Sequence, residues 1–462
     1  MRRINKVCMI GMLACMVALT GCGKEEVAYS EETDTEEQGN IVSESSSTLL
    51  RDSLGIGDET VWKEDIEGVN GTIKVHTTFD IPDTDNLYTL EVEKYYVTAE
   101  DKKRIVEYFA DADTIKVDTE SVPTKESIQE DIESNDEYLA LITQNGESED
   151  VQRHAIYQYE QDRLRELLKD ARNTDEISEE PGDYSEDFYT GSKNGVDYTF
   201  SFYADESRNR SAWRVKGNSE EDWYMNNMNM NQSNQCSMTK EEAEQKAVKL
   251  CEELGLPSMT PVKTYDLEWH HEADVNESED DDENGDMTGN DVNGYVVELA
   301  RSINGVPADS YVYFEYEKYV DGETTFLPYS IEQVEVSLSD EGIWEVFYRG
   351  ILSKGETGES VKLLSFEQMK EICRKELEKE DALSGGECQE LTLTYMRVAD
   401  ESSPNTFRYI PVWRLDSYYQ SDFMQELING HMWFNAMDGS RIDIEEVGSA
   451  YYMNAQGMGD YE

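Results

Sequence analysis

Apolar and polar positions along this chain follow two periods. Thr72 to Phe79 and Leu87 to Val97 alternate with the period of a strand, as do Val196 to Tyr203 and Ala212 to Val215. Between them the period lengthens. Thr98 and Asp101 have capping-box spacing, which predicts a helix to about Ala110 with Ile105, Val106 and Phe109 turned inward. Two more helices are predicted over 125–143 and 149–171. In the second, Val151, Ala155, Tyr159, Leu164, Leu167 and Leu168 form the apolar stripe.

Beyond residue 237 the pattern occurs twice. Thr239 and Glu242 form a capping box, and the helix they open presents Ala243, Ala247, Leu250, Cys251 and Leu254 before Gly255 stops it. Ser365 and Gln368 repeat that start, with Met369, Ile372, Cys373 and Leu377 inward. Strands are predicted after each helix: Val262–Trp269 and Tyr295–Arg301 in one copy, Leu391–Val398 and Phe407–Leu415 in the other. Each copy closes on a hairpin. The first joins Val334–Leu338 to Ile343–Tyr348 through Asp340 and Gly342. The second joins Met432–Ala436 to Arg441–Ile444 through Asp438-Gly439, a dipeptide suited to the positive φ angles of tight turns.

These elements predict an α+β protein, a mixed N-terminal domain followed by two helix-plus-antiparallel-sheet repeats. The expected organisation is a leader at 1–21, an acidic tether at 22–60 and the N-terminal domain at 61–217. A polar linker at 218–236, repeats at 237–360 and 361–450, and a tail at 451–462 complete it. The tether is rich in Ser and Glu and has too little apolar surface to order itself.

Ser302-Ile303-Asn304-Gly305-Val306-Pro307 resembles the NGIPV-type segment of PepSY-like domains. Tyr409-Ile410-Pro411-Val412-Trp413-Arg414-Leu415 is similar to their Pro-x-Trp strand, and Trp433 to Ile442 to their closing hairpin. Two-repeat proteins of this kind occur as extracytoplasmic regulators of sensor kinases in Gram-positive bacteria and as lipoproteins of unassigned function. The resemblance implies contact with an envelope protein or peptide rather than catalysis. It departs from the kinase regulators in carrying a lipid-anchor signal instead of a transmembrane helix.

That signal lies at the N-terminus. Arg2, Arg3 and Lys6 precede an apolar run from Val7 to Leu19, the layout of a secretory leader. The run falls short of the roughly 20 residues needed to span a bilayer. Leu19-Thr20-Gly21-Cys22 resembles the lipobox of bacterial lipoproteins, which implies lipid attachment at Cys22 and a body held on the outer face of the cell membrane. An ordinary signal peptide with a chance cysteine is the plainer alternative.

Charge narrows the partners. With 101 acidic and 40 basic residues the formal net charge is −61, which opposes nucleic acid and anionic headgroups alike. The partners that the lipobox and the PepSY-like resemblance imply are the membrane, through the lipid, and an envelope protein or peptide. Cys236, Cys251, Cys373 and Cys388 remain in the body. They allow three disulfide pairings, or buried free thiols for Cys251 and Cys373.

No catalytic motif and no cofactor signature stands out. The alternative function is calcium or solute binding. Asp280, Asp282, Asn284 and Asp286 match the opening of a calcium loop, Gly285 sits at its sixth position and Asp291 at its twelfth, where a longer Glu is usual. The same residues also read as a solvated acidic insertion, 272–292, in a hairpin. His270 and His271 are adjacent on a predicted strand and so point to opposite faces, which disfavours a shared zinc. Paired carboxylates for glycoside chemistry are hidden among so many acids, and a hydrolase would need an inward cluster of titratable groups in a cleft.

Overall fold

Three of the helices begin where the side chains dictate. In the computed structural model, the Thr98 hydroxyl accepts from the Asp101 backbone N–H while Asp101 caps Thr98 in return, and Thr239 and Glu242 repeat this. Ser365 and Gln368 exchange the same pair of bonds. The structure describes residues 50–56, 61–69, 71–145, 150–205, 210–218, 222–227, 233–271, 290–309, 316–320, 323–327, 332–379, 386–400, 403–420 and 427–442. All of them fall in one compact unit, Ile41–Glu462.

Among the described residues there are six α-helices: α1 (Leu50–Ser53), α2 (Ala99–Phe109), α3 (Lys125–Asn145), α4 (Asp150–Asp170), α5 (Lys240–Glu253) and α6 (Phe366–Lys379). Two large sheets accompany them, so the α+β class expected from the sequence is observed. α5 ends as predicted. Gly255 takes φ +69°, which lets the Leu256 N–H reach back to the Cys251 carbonyl at 2.9 Å.

In the first sheet, ten-stranded, α5 is followed by Met259–His271, Asn290–Ile303, Gln333–Ser339 and Gly342–Arg349. These lie side by side in chain order, each antiparallel to the next. In the second sheet, eight-stranded, α6 is followed in the same way by Glu387–Asp400, Ser403–Gln420, Leu427–Asn435 and Arg441–Ile442. Each of the two sheets thus holds four neighbouring antiparallel strands that follow a helix in the chain, although in the first sheet Val306–Pro307, Tyr316–Val320 and Glu323–Leu327 intervene between the second and the third.

Strand pairing cuts across the boundaries drawn from composition. Gly71–Asp80 runs parallel to Glu387–Asp400, and Tyr88–Glu93 pairs with the start of Ser403–Gln420. Arg210–Asn218 instead pairs with Gly342–Arg349 in the first sheet. Strands from 61–217 thus supply edges to both sheets. The physical reason is that an open edge carries unpaired N–H and C=O groups which any sequence-distant strand can satisfy.

The stretch expected as a polar linker, 218–236, also holds structure. Asp222–Asn227 forms an edge strand on Met259–His271. Asn234 donates to Asp266 at 2.8 Å and to the Gly294 carbonyl at 2.7 Å. Its polarity gave no strand signal because a sheet edge does not require a fully apolar strand.

Each sheet buries one face under helices. α2 and α5 cover the first sheet, packing Ile105, Val106, Phe109, Ala247 and Leu250 on Phe200, Trp213, Val215, Leu299 and Val336. α6 covers the second, setting Phe366, Met369, Cys373 and Leu377 on Ile73, Val75, Leu391, Trp413 and Phe434. The four cysteines are free thiols, Cys236 partly exposed and the others buried. Burial pushes the Cys251 thiol up to about 12, and Cys388 likewise.

Candidate interaction site

Three clusters of buried or partly buried ionisable groups stand out among the described residues, and their chemistry decides whether any is a reaction centre. The first lies between the sheets. Arg301, 1% exposed, grips Glu332 through Nε and, at 2.6 Å, through Nη2. Its remaining N–H groups donate to the carbonyls of Lys354 at 3.0 Å and Ser353 at 2.8 Å. Tyr348, in the first sheet, donates to Glu332 at 2.6 Å, and Tyr409, in the second, at 3.0 Å. Burial, then the Glu332 charge, raises the Tyr348 phenol well above its usual range. Glu332 accepts from three side chains and Arg301 is fully engaged, so the cluster is a closed clasp.

The second lies on the face of the second sheet away from α6. Arg414 donates to Asp309 at 2.9 Å and, forked, to Asp416 at 2.9 and 3.0 Å. Trp433 Nε1 donates to Asp309 at 2.6 Å, and His431 Nδ1 lies 2.7 Å from Asp416. Asp416 and His431 have the contact of an orienting dyad, yet the carboxylate is shared with Arg414, which ties it to the loop carrying Asp309. The geometry is that of a brace joining two strands to a loop.

The third is the pair Glu298 and Glu335, directly opposite each other on neighbouring strands of the first sheet. Burial raises the carboxyl pKa of both, and the Glu298 charge raises Glu335 further. Lys263 and Arg349 oppose the shift at Glu298. This is a pair of facing carboxylates on a sheet face. The concavity of about 430 Å³ beside α5 is lined by Glu241, Glu244, Lys249, Glu252 and Pro261 and includes neither of them.

A carboxyl with a raised folded-state pKa binds its proton more tightly when folded, so folding is favoured at low pH and loses stability as pH rises through that value. Glu335→Gln should therefore raise the thermal midpoint at pH ~8, and the gain should fade towards the ordinary glutamate range of about 4.3. Thermal melts across that window check it. A gain that persists undiminished at the acid end would show that the carboxyl charge is not its source.

Of the sequence-predicted site residues, Cys22 and Asp280, Asp282, Asn284 and Asp286 lie outside the described residues. Asp291 falls on the strand Asn290–Ile303, in register with Trp269, and His270 and His271 end the strand that pairs with it. The acidic stretch thus joins two paired strands, as expected for an insertion in a hairpin. Among the described residues no group of three or more His, Cys, Asp and Glu side chains converges as a metal site.

The remaining candidate is a surface. α3 and α4 form an antiparallel hairpin whose small apolar core, Ile128, Ile132 and Leu164, is separate from both sheet cores. Its base is tied by the Lys125 N–H to the Arg172 carbonyl at 2.9 Å. Halfway along, the interior turns polar. Asn135 donates to Gln161 at 2.8 Å and to the Tyr157 carbonyl at 2.8 Å, while Gln161 donates to Asp136 at 2.6 Å.

Apolar side chains that a wider core would absorb face outward instead. Five large apolar residues are exposed among the described residues, and three are here: Tyr138 at 49%, Leu141 at 56% and Leu167 at 44%. Tyr138 stacks on Tyr157 at 5.1 Å. Leu167, expected in the inward stripe, is a correction. Seven residues after Glu160, it sits on that residue's flank, while Gln161, Leu164 and Leu168 occupy the interface. The helix spacing was legible, but which apolar positions turn outward was not.

No family model and no curated protein matches the chain. Among solved structures it is similar to an uncharacterised protein from Eubacterium rectale ATCC 33656. Identity is 14%, the match spans 85% of this chain and 97% of that one, and the TM-score is 0.38. At that distance the likeness carries no argument about function.

Proposed function

We propose that this chain is an extracytoplasmic lipoprotein, anchored through Cys22, that acts as a non-enzymatic protein- or peptide-binding module of the PepSY-like type. The observation that carries this reading is the α3–α4 hairpin, with Tyr138, Leu141 and Leu167 presented to solvent around a polar interior. The twice-occurring helix and four-strand unit supports it, being the arrangement that the resemblance implies. The ionic clasp and brace support it as well, because their charges are spent on joining elements. Among the described residues no helix is long and apolar enough to cross a membrane. The proposed anchor is the lipid that the likeness of Leu19–Cys22 to a lipobox implies.

Two measurements in intact cells test the proposal. Cys22→Ser should release the protein from the membrane fraction or leave it with its leader attached, and unchanged detergent partitioning would remove the anchor. A photoreactive residue at Leu141 should yield an adduct of defined mass that is missing when the same residue replaces Lys63, an exposed position on the strand Val61–Gly68. Equal labelling at both positions would remove the hairpin as the contact element.

A further inference from the structure

The chemistry around the exposed residues of the hairpin restricts what it accepts. α3 carries six acidic residues against one lysine. Asp131 and Tyr138 are seven apart, two helical turns, and so share a stripe, with Leu141 one turn beyond and Glu130 and Glu137 alongside. On α4, Glu160 and Leu167 are likewise seven apart. Burial raises the Asp131 carboxyl pKa, and the charges of Glu160 and then Glu130 raise it further, with Arg163 opposing. The Asp136–Arg165 ion pair, 3.7 Å, closes one flank of the hairpin, and Asp131 with Tyr138 and Glu160 with Leu167 lie on the other. That side has apolar side chains set in a frame of carboxylates that repel one another.

We propose that this face of the α3–α4 hairpin docks a basic amphipathic helix, with apolar anchors on Tyr138, Leu141 and Leu167 and Lys or Arg side chains against Glu130, Asp131 and Glu137. The inference rests on the reading of the hairpin as the contact element and adds the class of its partner. An apolar helix face laid between two helices is the packing solution such a surface offers. Cations from the partner relieve the carboxylate repulsion that the free hairpin retains. An acidic helix of the same shape meets that repulsion and is rejected.

The test uses the full chain and a synthetic helix of about 18 residues, five turns, with Leu on one face and Lys on the other. A Leu/Glu version of the same pattern is the control. At ~0.15 M salt, where exposed charges are screened beyond about 8 Å, the Leu/Lys peptide should bind and the Leu/Glu peptide should not. Tyr138→Ser with Leu141→Ser should weaken binding about tenfold or more, since burying one Leu side chain is worth roughly a factor of ten. Glu130→Gln with Asp131→Asn should weaken it and flatten its salt dependence. Circular dichroism verifies that each variant is folded, and Tyr138→Lys, which adds a positive charge at an exposed position, should weaken binding of the Leu/Lys peptide as well.

Equal binding by the wild type and the Ser double variant would reduce the effect to general attraction to a polyanion and overturn the proposal. So would equal binding of the Leu/Glu peptide. If either occurs while Leu141 still crosslinks in cells, the hairpin remains the contact element and only the basic-helix assignment falls.

Discussion

Glu332→Ala should destabilise the protein by about 3–5 kcal/mol, the range for removing one partner of a buried ion pair. The loss is large because the substitution strands three groups together. Arg301 keeps a full charge at 1% exposure, and the hydroxyls of Tyr348 and Tyr409 lose their acceptor. Urea unfolding measures it as a shift in midpoint. Removing both charges, Arg301→Met with Glu332→Leu, should recover much of the loss, since a well-packed apolar replacement of a buried pair is often neutral. A loss below about 1 kcal/mol for Glu332→Ala, the level of an exposed pair, would mean that water reaches the clasp.

Arg414→Met should have an effect of similar size, about 3–5 kcal/mol, by leaving Asp309 and Asp416 without their shared cation. The two carboxyls have little access to solvent that would stabilise them. Arg414→Lys should restore only part of the stability, because one ammonium cannot reproduce the forked contact with Asp416 and still reach Asp309. Full restoration by Lys would show that charge alone, without the planar fork, holds the brace. Thermal melts of the two variants side by side separate these outcomes.

What could be read from the sequence was what depends on near neighbours. The three capping boxes at Thr98, Thr239 and Ser365 work over four residues, and the Asp438-Gly439 turn over two, so their geometry follows from residue type. Strand periodicity located Gly71–Asp80 and Val196–Asp205 within two residues of their ends. Pairing was not legible. Nothing in Gly71–Asp80 names Glu387–Asp400 as its neighbour, because a strand's outward N–H and C=O groups are the same whatever its sequence.

Short edge strands escaped for a related reason. Glu356–Ser360 is exposed along its whole length and carries no apolar alternation to detect. The clasp was hidden by distance along the chain: Arg301 closes the predicted strand Tyr295–Arg301, and nothing in that strand's period names Glu332, 31 positions on, as its partner. On the hairpin, Tyr138 and Leu141 were not singled out because their outward direction is set by Asn135 and Gln161. Those two polar residues occupy the interface by bonding to each other across it.

The parallel pairing of Gly71–Asp80 with Glu387–Asp400 also governs how the molecule is made. The Thr78 hydroxyl and its acceptor, the Gln389 carbonyl, are 311 positions apart. At ribosomal speeds of about 5–20 residues per second, the early hairpin waits roughly 15–60 s for the segment that completes its sheet. Throughout that interval its apolar side, Ile73 and Val75 included, has neither α6 nor the late strands to lie against. Nascent chains should be vulnerable to proteases and self-association until the last quarter is delivered, and a truncation before residue 387 should fail as a folding unit even though the sequence reads 61–217 as a domain of its own.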